Sequence, residues 1–207
     1  MVSCGSFRSF EAGKATETKP DPMWPWGHLA VGYLLYAGFT RWRFDRSPQG
    51  GATLAVLFGT QFPDLVDKPL AWTFHLLPSG RSLAHSLLTA TLVCVLVWLF
   101  VRWHGHSILG TGFAIGYVSH LFADALSPVL AGEYRYVSYL GWPVLDQPSY
   151  DTSMGFAAQF AGISLTPLFV LQLVLGAFAI ALWFRDGCPG LAILRGWLGS
   201  WRGTVEH

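Results

Sequence analysis

Residues 83–103 read L-A-H-S-L-L-T-A-T-L-V-C-V-L-V-W-L-F-V-R-W. After His85 no charged residue occurs until Arg102. A helix needs about 20 apolar residues to cross the hydrocarbon core of a bilayer, with a lower limit near 17. This stretch meets that length. Working outward, the same character recurs at 26–42, 51–63, 107–130 and 161–184. The second of these is short and stops at Pro63 and Asp64. A segment that ends within the bilayer must have its backbone groups covered by protein. The expectation is an all-α, polytopic membrane helix bundle of about five transmembrane segments, the second short or re-entrant.

Composition supports this. Of the 207 residues, 52% are hydrophobic and only 12% charged, about half the charged share of a soluble domain. A net charge of +1 gives no electrostatic footprint for nucleic acid. Cys4, Cys94 and Cys188 are far apart and suggest neither a thiolate zinc site nor a disulfide framework. Residues 1–22 are polar, Pro-flanked and aperiodic, the pattern of a disordered tail. Met23 then opens a segment that itself reads like a protein start. Residues 23–186 form one bundle domain. Residues 187–207 form a C-terminal tail whose A-I-L-R-G-W-L-G-S-W-R suits an amphipathic segment on the surface. The long joint 131–160 holds Y-R-Y-V-S-Y-L-G-W-P, suited to the membrane interface.

Ionisable groups within spans are costly and mark function. Here they are grouped. His28 opens the first span, Asp64 and Asp67 follow the second, Arg81 and His85 open the third, and His120 and Asp124 lie late in the fourth. Threaded through alternating spans, all fall at one membrane level, so a shared site is available at one end of the bundle. His120 and Asp124, four apart, share one helix face. Neutral imidazoles and carboxylates suit a divalent metal, zinc first and manganese or magnesium next. The ligand set is His28, Asp64, His85, His120 and Asp124. Asp64 or Asp67 serves as ligand or general base, and Arg81 can clamp a phosphate or a carboxylate. Any one of these histidines alone reads better as a structural hydrogen bond. Four segments meeting at one level favour a site. His104 and His106 read as solvated, and His75 stays open.

The order G-H-L-A-V-G-Y at 27–33, F-P-D-L-V-D at 62–67, R-S-L-A-H-S at 81–86 and S-H-L-F-A-D-A-L-S-P at 119–128, then Y-L-G-W-P at 139–143, resembles the YdjM-type family. Its members are described as inner-membrane metal-dependent hydrolases, some under LexA control. The resemblance implies functional roles for His28, Asp64, Asp67, Arg81, His85, His120 and Asp124. One departure stands out: a histidine of the family pattern is Gly80 here, and a threonine is Ala84.

The expected function is an integral, multi-pass inner-membrane hydrolase that depends on a divalent metal. It would act on a lipid or phosphoester at the membrane boundary, with lipids as its surroundings. The alternative is a non-enzymatic membrane protein, either a proton or ion relay or a scaffold with a structural metal. Arginine-rich joints (Arg41, Arg43, Arg46, Arg102, Arg185) favour their own side of the membrane as cytoplasmic, which turns the His/Asp group outward.

Overall fold

The computed structural model describes residues 21–148 and 163–204, with side chains through Trp197. The proposed N-terminal tail, up to residue 20, and the start of the expected fifth span therefore lie outside the described residues. Within them the chain is all helical: α1 (Pro25–Phe44), α2 (Gly50–Trp72), α3 (Leu87–Trp103), α4 (Ser107–Leu130), a 3-10 helix (Tyr134–Gly141), α5 (Pro167–Arg185) and α6 (Leu191–Thr204).

The central element is α4, which packs against α1, α2, α3 and the 3-10 helix. Its closest neighbour is α2, and glycine makes this approach possible. A Cβ on Gly116 would lie 2.2 Å from the Val56 carbonyl oxygen, and one on Gly59 would lie 2.4 Å from that of Phe113. The two backbones therefore notch into each other. The spacing Gly112-x-x-x-Gly116 is the small-residue pattern that lets helices touch where hydrophobic driving force between them is weak. Phe62, Phe113 and Tyr117 fill the space between α2, α3 and α4.

In contrast, α5 packs on α1. It is fastened at both ends. Near the start of α1, the Trp24 backbone N–H donates to Gln172 Oε1 at 2.8 Å, and Trp24 and Trp26 stack beside Phe169. Near the other end, Tyr33 donates to Asp186 Oδ2 at 2.6 Å, and Arg41 pairs with Asp186.

The second element differs from its expected form. It does not stop at Pro63 but runs on as a 23-residue helix with Pro63 and Pro69 inside it. Proline removes an N–H and crowds the carbonyl four residues back. Such breaks are tolerated where neighbouring groups satisfy the backbone they disturb. Pro63 leaves the Gly59 carbonyl without its helical donor, and in the same turn the Thr60 carbonyl accepts a hydrogen bond from His120. In the same way α4 continues through Pro128 to Leu130.

Among the described residues, α4 and α5 have both the length and the hydropathy of a membrane span, and α3 is apolar but shorter, at 17 residues. With 20 and 23 residues, α1 and α2 have the length but a more polar composition. The count of five spans thus goes beyond what length and hydropathy establish.

Candidate metal centre

The connection between α2 and α3 carries the first half of the site. Asp67, fully buried, gathers it. Its carboxylate accepts the backbone N–H groups of Ser82 (2.8 Å), Ala84 (2.8 Å) and His85 (3.2 Å), and it pairs with His85 Nδ1 at 2.8 Å. Tyr117 of α4 donates to the Ala84 carbonyl at 2.7 Å. Ser86 then caps α3 by accepting from Leu88 N, and its hydroxyl donates to the Trp142 carbonyl at 2.5 Å. One carboxylate thereby sets both the loop and the orientation of its histidine.

His120 is fixed in a similar way, since its Nδ1–H donates to the Thr60 carbonyl at 2.6 Å. A carbonyl can only accept, as can an ionised carboxylate. The Nδ1 atoms of His85 and His120 therefore carry the protons, and in the neutral rings both Nε2 atoms present lone pairs. These two Nε2 atoms face each other at 3.1 Å. Two lone pairs at that distance repel unless a positive species joins them.

Two carboxylate oxygens complete the group. His85 Nε2 lies 3.6 Å from Asp64 Oδ1 and 3.5 Å from Asp124 Oδ2. His120 Nε2 lies 3.9 Å from Asp64 Oδ1 and 3.6 Å from Asp124 Oδ2. Nitrogens about 2.1 Å from a tetrahedral zinc stand about 3.4 Å apart. These five separations, 3.1–3.9 Å, are of the size of donor–donor distances around a small divalent ion, so the residues present fit one. His28 flanks the group. Its ring stacks on His120 at 3.8 Å, and its Nε2 is 3.5 Å from Asp124 Oδ1. His28, His120 and Asp124 have donors mutually within 4.8 Å, as do Asp64, His85 and His120. His28 Nδ1 is buried without a hydrogen-bond partner.

The structure thus brings together every site residue expected from sequence. They do not stand equivalently: Asp67 sits behind His85, and Arg81 reaches Asp124 Oδ1 at 2.8 Å from the outer side. His75, His104 and His106 are exposed and away from the group. His104 bonds the Phe100 carbonyl of its own helix. Gly80 backs onto the Trp72 ring, which a Cβ would meet at 3.3 Å. No feature of the sequence pointed to Thr60, whose contribution is a main-chain carbonyl. Tyr139 lies in the aromatic stretch suited to the interface, yet it is fully buried, donates to the Leu121 carbonyl at 3.0 Å and sets its ring edge-on to His85. Lys68 also joins the group. Its spacing, four residues after Asp64, was the available signal, and Nζ lies 2.6 Å from Asp64 Oδ2.

Neither the curated proteins nor the solved structures include a match to this chain. The model of the YdjM inner membrane protein family matches residues 23–200, spanning the helix bundle and every residue of the site. The chain belongs to the YdjM inner membrane protein family.

Proposed function

We propose that the chain is a multi-pass inner-membrane hydrolase that depends on a divalent metal and acts on a lipid or phosphoester at the membrane boundary. The observation that carries this reading is the convergence of His85 Nε2, His120 Nε2, Asp64 Oδ1 and Asp124 Oδ2, with each nitrogen within 3.1–3.9 Å of the other three atoms. Zinc suits the two imidazoles best, and the carboxylates also admit manganese or magnesium. A divalent ion supplies Lewis-acid activation of water and of the scissile group.

The chain's own residues do the rest. Asp67 and the Thr60 carbonyl hold the two rings in the ligating tautomer, the usual role of partners behind metal-bound histidines. Its four contacts commit Asp67 to positioning. Asp64 is the more accessible carboxylate, with a 12% exposed side chain against 2% for Asp124, and so is the ligand that can yield its place on the ion to water and accept that water's proton. Arg81 orients the anionic part of the substrate, and His28 adds a flanking imidazole.

The test is a hydrolysis screen of purified protein against phosphodiester and carboxylester lipids, with and without zinc. Zinc-dependent release of product, abolished in His85→Ala, is the expected result. No turnover of either class by fully loaded protein would remove the enzyme reading.

The alternative reading is a proton relay, because a shared proton also closes a 3.1 Å contact between two imidazoles. Packing below the site weighs against it. There α2 and α4 meet through Ala52, Val56, Gly112 and Phe113, and the buried Thr53 and Thr40 hydroxyls donate to carbonyls of their own helices, Gln49 and Ala37. Pumping would appear as pH-dependent flux in liposomes from metal-free protein.

A further inference from the structure

The two ligating carboxylates are each divided. Asp64 turns Oδ1 to the histidine pair and Oδ2 to Lys68, at 2.6 Å. Asp124 turns Oδ2 to the pair and Oδ1 to Arg81, at 2.8 Å. A cation therefore stands on the outer oxygen of both. The histidine side chains are fully buried, whereas Lys68 is 13% and Arg81 23% exposed. The two cations lie on the more exposed side of the centre. Lys68 is also braced, because its ammonium lies 5.6 Å from the Trp72 ring, which packs in turn on Gly80.

Charge gives these positions a consequence. With neutral histidines, the carboxylates of Asp64, Asp67 and Asp124 outnumber Lys68 and Arg81 by one. Without a metal ion the cluster would carry one surplus negative charge and repel anions. A divalent ion on the inner oxygens reverses this to one surplus positive charge. Lys68 and Arg81 then stand on the outer oxygens of carboxylates shared with the ion, at the more exposed edge of the group. A lysine ammonium has three N–H donors, and the two side chains flank the ion.

We propose that Lys68 and Arg81 form an anion subsite for the non-bridging oxygens of a phosphoryl group, and that it exists only when the divalent ion is bound. It rests on the metal-centre reading above. A monoanionic phosphodiester matches the charge of the loaded cluster, and its two non-bridging oxygens match an ion on one side and the two cations on the other. Metal and phosphate then bind with positive coupling, and by linkage each raises the affinity for the other by the same factor.

Inorganic phosphate is titrated calorimetrically into detergent-solubilised full chain, metal-free and zinc-loaded after removal of free zinc. Affinity should rise at least about tenfold on loading, and Lys68→Met should lose about tenfold while Lys68→Arg keeps it. Zinc content is measured in each sample. Dihexanoyl phosphatidylglycerol run in parallel identifies the source: tighter binding than phosphate assigns a lipid headgroup, and equal binding assigns the phosphoryl group alone. The subsite is overturned if zinc-loaded protein binds phosphate no better than metal-free protein, or if fully loaded Lys68→Met binds like wild type. Should Lys68→Met not fold, the comparison of loaded with metal-free wild type decides. Absence of zinc from the wild type overturns both the metal reading and the subsite. Zinc without phosphate coupling overturns the subsite alone.

Discussion

Asp67 shows how much a single side chain organises. Three backbone N–H groups and one imidazole converge on it. Asp67→Asn keeps the shape but turns an NH2 toward donors, leaving buried N–H groups unpaired. Expected are a 10–100-fold weaker metal affinity, of about the size seen when partners behind metal ligands are lost, and a lower thermal midpoint. Competition with a chelator and a melting curve measure both. An unchanged zinc affinity would remove Asp67 from the positioning role. At this scale the ionisable residues were legible because charge is rare in apolar sequence, so His28, Asp64, His85, His120 and Asp124 declared themselves. The division of labour between Asp64 and Asp67 was not legible, since it depends on how the 79–86 connection folds back. Thr60 was invisible for a different reason: any residue type supplies a carbonyl.

The helices stand or fall on the contact between α2 and α4. Gly116→Leu drives a side chain into the Val56 carbonyl, and neither backbone can yield without parting the two halves of the site. The expected cost is about 1–3 kcal/mol or more, read as a lower thermal midpoint and reduced yield in the membrane fraction. Gly38 is the control, with no atom within 4 Å of a Cβ there. Gly38→Ala should stabilise α1 by up to about 1 kcal/mol. Equal effects of the two substitutions would contradict the packing account. Boundaries were legible where apolar sequence and helix coincide: 107–130 is both the expected span and the observed α4. The end of α2 was not, because Pro63 reads locally as a terminator. Only the tertiary partner of a neighbouring carbonyl reveals that the helix goes on.

At the scale of the whole molecule, large apolar faces remain uncovered. Leu88, Leu92, Leu96, Leu99 and Phe100 of α3 are exposed, as are Val174, Phe178, Ile180 and Phe184 of α5. Patches of this extent on a soluble protein would aggregate, whereas on a member of an inner membrane protein family they suit lipid contact. The chain should stay in the membrane pellet after alkaline carbonate washing, and release into the supernatant would contradict the multi-pass reading. The pooling of polar residues at one end was legible from threading alternating helices, and it survives the longer α2, because α2 still runs from one end of α4 to the other. The centre itself is tested most directly by elemental analysis. Wild-type protein and His120→Ala are purified in detergent without added chelator, and their divalent metals are quantified by mass spectrometry. A stoichiometric ion in the wild type that is lost in His120→Ala is the result this account predicts. No ion in the wild type, or the same content in both, would contradict it.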